Sequence, residues 1–294
     1  MDIAAHNTSP DLDSLMTDIA RYDVTQNALE LQMYGFTVVP PEKLGVDEAW
    51  TSRLRDAVIR TYEKRYDVEI GDYTVSDLEP VNFGKTWRLI EEDDIFVEAT
   101  LNPVGLTLIR SLLGQSAVLG NDTWLMRARD NKPRGMHTDA TGVPLGAGQI
   151  AHVVNASWLC TDYLEEGDGP TVLVPGSFRF GRSTLPHEYN VDECPYPLVS
   201  LTGKAGSLAI WHGGTFHGSR TRTKAGLRIT YGGVWYRTYM KPMGTWEDVS
   251  PELVERYPEL DRVLGLHSPF PFREDIERSE HLRSFSLTGS DPFA

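Results

Sequence analysis

The sequence predicts a mainly β fold with flanking helices, a double-stranded β-helix or jelly roll of cupin-like form. Short runs such as Leu125 to Arg129, His152 to Tyr163 and Leu227 to Tyr236 are interrupted by Gly and Pro clusters, the pattern of an antiparallel sandwich. Segments with helical spacing are gathered ahead of these runs, where they would brace one sheet. In such a fold the two sheets part at a mouth, so ligands from separate strands can converge there.

The helices come first. Leu15 to Tyr34 carries apolar residues at helical spacing, with a break at Thr25-Gln26-Asn27, and Gly35 follows where a C-terminal glycine is expected. Asp47 to Tyr66 reads as an amphipathic helix capped by Asp47, and Pro103 to Leu113 as another with proline in its first turn. Arg53, Arg55, Arg60, Lys64 and Arg65 on the second of these read as a solvated face. Glu252 to Leu264 is expected as a late helix on the outside. The organisation expected is one jelly-roll domain over residues 1–294, with a disordered terminus (1–12), a mostly helical part (13–117), a metal-binding core (118–238) and a C-terminal extension (239–294).

Among the strands, Gly206 to Trp211 reads as buried, His212 to Phe216 as a turn, and Leu227 to Tyr231 as a strand that carries Arg228 among apolar and β-branched neighbours. His137-Thr138-Asp139 places two metal-ligand types at i and i+2, on one face of an extended chain. That spacing alone is a weak signal, since a lone histidine is more often a hydrogen-bonded core or surface residue. A second histidine from a distant strand would complete a facial triad, the set that non-haem Fe(II) oxygenases use. His217, in Phe216-His217-Gly218-Ser219, is the favoured third ligand, and His212 competes with it. His187 and His152 have no partner at ligand spacing, nor do His6, His267 and His281 in the terminal segments. An arginine at the depth of Arg228 calls for a buried anion, either a protein acid or the far carboxylate of a dicarboxylate that chelates iron at its other end.

Asp168-Gly169-Pro170-Thr171-Val172-Leu173-Val174-Pro175-Gly176-Ser177 resembles the NGP-x-x-V-x-PGSH segment of phytanoyl-CoA dioxygenase-like enzymes, which depend on Fe(II) and 2-oxoglutarate. With the HxD motif, and the HGS motif followed by Arg228, three motifs stand in that family's order. The resemblance covers roughly residues 28 to 238. It implies that His137, Asp139 and His217 bind iron, that Arg228 and Ser219 hold the far carboxylate of 2-oxoglutarate, that Thr171 contacts the co-substrate and that Trp158 lies against it. Asp168 stands where Asn is common and still suits a tight turn; Phe178 stands where His usually follows. Arg134 occupies a position where relatives often have Gln. It is a candidate contact for the near carboxylate of the co-substrate, for an acidic or phosphorylated substrate, or for a surface acid. The cofactors implied are Fe(II), 2-oxoglutarate and O₂. The intact carboxylate favours hydroxylation, desaturation or a related C–H oxidation over halogenation.

Composition narrows the partners. The chain of 294 residues has a formal net charge of −14, which opposes nucleic-acid binding. Its 2 cysteines form no disulfide framework and suit a reducing cytoplasm. Met1 to Asp13 has no positive n-region or apolar h-region and no apolar run is long enough to span a bilayer, so neither secretion nor membrane insertion is expected. The expected partner is a small, largely apolar metabolite, with natural-product biosynthesis as the setting and a homodimer as one assembly open to the chain. Trp87, Trp124, Phe178, Trp211, Trp235 and Tyr239 are candidate pocket aromatics, and Tyr73 to Trp87 and Thr141 to Ile150 are candidate lids. Two other classes share the motifs: a cupin-type isomerase or hydrolase that does not use 2-oxoglutarate, and a catalytically inactive jelly-roll binding module.

Overall fold

The computed structural model describes residues 10–130, 132–140, 143–266 and 274–276. Helices α1 (Pro10–Arg21) and α2 (Thr25–Tyr34) open it, so helix begins inside the stretch expected to be frayed; residues 1–9 lie outside the described residues. The break falls at 22–24, ahead of the expected Thr25-Gln26-Asn27, because Asp23 takes a positive φ of 53°. Asn27 instead reaches forward from α2, donating to Thr37 Oγ1 at 2.9 Å and to the Val38 carbonyl at 3.3 Å. Gly35 ends α2 at φ 84°. A Cβ there would lie 2.4 Å from Thr215 Oγ1 and 2.7 Å from the Phe178 ring, so glycine is required by space as well as by conformation.

Strand β1 (Phe36–Val39) leads through α3 (Pro41–Leu44) to α4 (Glu48–Tyr66). Asp47 caps α4 as expected, its carboxylate accepting from Trp50 N–H at 2.7 Å. The basic face of α4 is tied down: Arg53 pairs with Glu98, Arg60 with Asp93, and Lys64 and Arg65 with Glu92. These acids belong to α5 (Asp94–Thr100) and the turn before it, a helix too short to show a period in sequence. Helix α6 (Pro103–Leu113) has Pro in its first turn and Asn102 as its cap.

The strands that follow are β2 (Val118–Arg127), β3 (Val153–Leu159), β4 (Thr171–Leu173), β5 (Val199–Ser200), β6 (Leu208–His212), β7 (His217–Ser219) and β8 (Arg228–Tyr236). They form a 5-stranded sheet of order β1-β6-β3-β8-β2 and a 3-stranded sheet of order β5-β4-β7, antiparallel throughout. This is the expected double-stranded β-helix. Val154, Ala156 and Trp158 of β3, Ile210 of β6 and Ile229, Tyr231 and Trp235 of β8 share one core with the helices. The alternate residues of the same strands face the smaller sheet across a cavity.

The expected late helix is two, α7 (Pro251–Arg256) and α8 (Glu259–Val263). Pro258 lies between them and has no N–H with which to continue α7. Among the described residues no helix is long and apolar enough to cross a membrane. His6, His267 and His281, together with Thr141 and Gly142 of one expected lid, lie outside the described residues.

Candidate metal centre

His137-Thr138-Asp139 is not the regular strand its spacing suggested. It makes one antiparallel bridge, His137 N–H to the His217 carbonyl at 2.8 Å and His217 N–H back to His137 at 3.0 Å, and then bends so that Asp139 N–H reaches the Gly213 carbonyl at 2.8 Å. The i and i+2 side chains still share a face, and Thr138 turns to a separate small pocket beside Val143, Leu145 and Phe178. One donor atom from each of His137, Asp139 and His217 lies within 4.8 Å of the others. His217 Nε2 is 3.1 Å from Asp139 Oδ2, and His137 Nε2 is 3.5 Å from Asp139 Oδ1.

Each imidazole is aimed by a carbonyl two residues before it. His137 Nδ1 contacts the Gly135 carbonyl at 2.8 Å and His217 Nδ1 the Thr215 carbonyl at 2.9 Å. A carbonyl only accepts, so each Nδ1 carries a proton and each Nε2 is the atom turned towards Asp139. His137 Nε2 is buried and makes no hydrogen bond. Burial, with His217 alongside, pushes the His137 pKa down to about 4, so the ring is neutral and free to donate its lone pair. Burial opposes ionisation of Asp139, but the contact with His217, with Arg134 nearby, outweighs it and holds the carboxyl well below the usual range. Asn155 donates to Asp139 Oδ2 at 2.9 Å and fixes its rotation. Two imidazoles and one carboxylate, converging with the His137 lone pair unspent, fit a divalent iron ion.

His212 does not join this group. Its ring stacks on Phe178, with centroids 4.7 Å apart, and Nδ1 accepts from Gly214 N–H at 2.9 Å. The turn from His212 to Phe216 is held by Ser177, whose Oγ accepts from Phe216 N–H at 2.7 Å. Asp168, as expected, closes its own turn by accepting from Leu164 and Glu165 N–H.

Register arranges the cavity floor in rows. Asn121, Val234, Asn155 and Trp211 lie side by side on β2, β8, β3 and β6, level with the triad. Thr123, Gly232, Ser157 and Ala209 form the next row, Leu125, Thr230 and Leu159 the third, and Arg127 and Arg228 the last. The second row is made of small side chains, which leaves a trough from the triad towards Arg228. Arg228 is 1% exposed, lies over the Tyr163 ring at 4.9 Å, and keeps Nε and Nη1 buried without a partner. Among the described residues no carboxylate lies within ion-pair distance of it. A dicarboxylate fits here, since an unpaired buried guanidinium is costly.

Thr171 and Ser219 face each other across β4 and β7 and line the same cavity. Ser219 Oγ accepts from the Arg134 N–H at 3.0 Å, and the Arg134 side chain is exposed at the rim. Trp158 corrects the expectation that it lies against the co-substrate. Asn155 and Ser157 face the cavity, so alternation sends Trp158 to the opposite face, where it packs on Trp50 and donates to the Ala99 carbonyl at 3.2 Å.

The cavity measures about 680 Å³. Of the six candidate aromatics, Trp87, Trp124 and Trp211 line it. Phe178 covers His212, Trp235 lies in the core, and Tyr239 bonds His152 at 2.9 Å. From the expected lid, Asn82, Phe83, Gly84, Thr86 and Trp87 form one wall. Asn155 escaped sequence reasoning, although a carboxamide inside an otherwise apolar strand was the available signal.

Fold and class of site agree with the comparisons: this is a jelly-roll enzyme of the non-haem iron, 2-oxoglutarate-dependent dioxygenase class. The chain belongs to the phytanoyl-CoA dioxygenase (PhyH) family, whose sequence profile matches residues 31–230. It is 27% identical over 233 residues to dioxygenase af480 of Aspergillus fumigatus, covering 76% of this chain and 74% of that protein. Its fold is similar to that of HygX from Streptomyces hygroscopicus, solved with nickel and 2-oxoglutarate bound (TM-score 0.60, 16% identity, 78% of this chain and 93% of the other). It also resembles SnoK, a carbocyclase from nogalamycin biosynthesis (TM-score 0.55, 18% identity, 76% and 88% covered).

Proposed function

We propose that His137 Nε2, Asp139 and His217 Nε2 hold one Fe(II), and that Arg228 grips the far carboxylate of 2-oxoglutarate with Ser219 and Thr171 beside it. The reaction is oxidation of a C–H bond, by hydroxylation, desaturation or a related outcome, in a small metabolite with a largely apolar body. Iron with 2-oxoglutarate and O₂ supplies the oxidising power when bound, leaving succinate and CO₂. The chain's own residues set the conditions. The two carbonyl-bonded imidazoles and the Asn155-held carboxylate would hold the ion through three donors and leave it accessible to the co-substrate from the cavity. Arg228 fixes the orientation of the dicarboxylate along the trough of small side chains, and Trp87, Val234, Tyr236, Met240 and Met243 shelter the reacting carbon from water.

The unpartnered guanidinium of Arg228, 1% exposed, carries this reading. A cupin-type isomerase or hydrolase has no use for a buried cation at that depth, and an inactive binding module has none for three converging donors. Arg134, at the rim beside Ser219, is placed to contact the near carboxylate of the co-substrate or an acid on the substrate. The relatives solved with hygromycin B bound or drawn from nogalamycin biosynthesis support a role in secondary metabolism. The two free cysteines, Cys160 and Cys194, support a cytoplasmic setting and the continuity of the fold a single jelly-roll domain. The test is an anaerobic titration of Fe(II)-loaded protein with 2-oxoglutarate. A visible charge-transfer band that Arg228→Ala abolishes is expected; iron binding without a band would discard the reading.

A further inference from the structure

Asn121 is 3% exposed, lines the cavity, and has its side-chain Oδ1 buried with no hydrogen-bond partner. A buried carbonyl without a donor costs more than an apolar side chain of the same shape would. Within the chain the carboxamide contributes nothing that leucine could not.

Its placement is specific. Pairing of β2 with β8 slips at Gly120, so Leu119 stands opposite Trp235 and Asn121 opposite Val234. Leu119 and Asn121, two residues apart, would share a face in a regular strand. The extra residue separates them: Leu119 enters the helical core and Asn121 enters the cavity. A Cβ at Gly120 would lie 2.2 Å from the Tyr236 ring, so the bulge is built around glycine. Asn121 also occupies the row of Asn155, two strands away, which is about 10 Å across the sheet. A ligand group bonded to Asn121 is therefore a few bonds from whatever carbon is presented to the triad. Beside it, Val234 and Met243 offer apolar contact.

We propose that Asn121 is a substrate-binding residue that accepts a hydrogen bond from a hydroxyl group, and that the substrate is an alcohol on a compact apolar scaffold. This rests on the oxygenase reading above and names the substrate class for its site. The hydroxyl fixes which C–H bond faces the metal, so Asn121 determines position as well as affinity.

The test uses the Fe(II)- and 2-oxoglutarate-loaded protein under argon, with adamantan-1-ol and its methyl ether, 1-methoxyadamantane, as probes. Binding is read by quenching of tryptophan fluorescence, since Trp87, Trp124 and Trp211 line the cavity. The alcohol should bind about tenfold more tightly than the ether, because only the alcohol satisfies Oδ1. Asn121→Leu should bring the ratio to about one while the charge-transfer band persists, and Asn121→Asp, which keeps an acceptor, should retain the preference. Equal affinities in the wild type, binding of neither probe, or a preference that survives in Asn121→Leu would overturn the proposal. Were Asn121→Leu to misfold, loss of the preference in Asn121→Asp would overturn it as well. Absence of the band in the wild type would instead sink the oxygenase reading itself.

Discussion

The two faces of the 5-stranded sheet treat polar groups in opposite ways. On the helix side Asp122, Tyr231 and Trp246 are all answered within the chain. Asp122, fully buried, accepts from Leu89 and Ile90 N–H at 3.0 and 2.8 Å; Tyr231 Oη meets Thr100 Oγ1 at 2.8 Å; Trp246 Nε1 donates to the Leu119 carbonyl at 2.8 Å. On the cavity side Arg228, Asn121, Trp211 and His137 each keep a buried nitrogen or oxygen without a partner. The sheet residues of the two faces come from the same strands, one residue out of phase. The difference separates groups that hold the fold from groups reserved for ligands, and it yields tests that move one property and not the other.

The largest effect belongs to the triad. Asp139→Ala and His217→Ala should each lose iron and turnover entirely while circular dichroism stays that of the wild type, and His212→Ala should keep its iron. Iron retained by the His217 variant and lost by the His212 variant would break the comparison at its centre. Arg228→Leu should raise the 2-oxoglutarate requirement by roughly 10²- to 10³-fold, as loss of one partner of a buried charge pair does. Its melting temperature should hold or rise, because an unpaired buried cation has gone; a fall of many degrees would place Arg228 with the structural groups.

Asp122→Ala should do the reverse. It leaves two backbone N–H groups unanswered in the core, costing about 2–4 kcal/mol by chemical denaturation, and the co-substrate band should survive. Glu188 supplies the smallest test, on a satisfied carboxylate far from the floor. Bonds from Arg182, with help from Leu185 N–H and Tyr196 Oη, take its pKa from 4.5 to about 2. A depressed carboxyl stabilises the fold above the unfolded value of 4.5, and that stability drains away as pH falls towards 2. Glu188→Gln should therefore unfold more easily near neutrality, by up to about 1 kcal/mol, and show a flatter acid limb in urea titrations.

The fold class, the helix caps at Asp47 and Gly35, the convergence of His137, Asp139 and His217, and the depth of Arg228 were legible in the sequence. Each depends on local spacing or on residue types whose burial is costly. What was illegible depends on parity and register. Trp158 was placed against the co-substrate by the family resemblance, yet alternation within β3 turns it outward. Asn121 could not be placed without the bulge at Gly120. Helix α5 was too short to show a period, and the paired face of α4 looked solvated because its partners lie far along the chain.

Asn82 joins the cavity wall to the rim of the sheet. Its side chain accepts from Met126 N–H and donates to the Met126 carbonyl, both at 2.7 Å, as a neighbouring strand would. Strand β2 is the last of its sheet, and a long unpaired rim is a template for another chain. One carboxamide thus serves as a false neighbour that discourages self-association. Were those two hydrogen bonds broken, the Met126 N–H and carbonyl would stand bare on the open rim of the sheet.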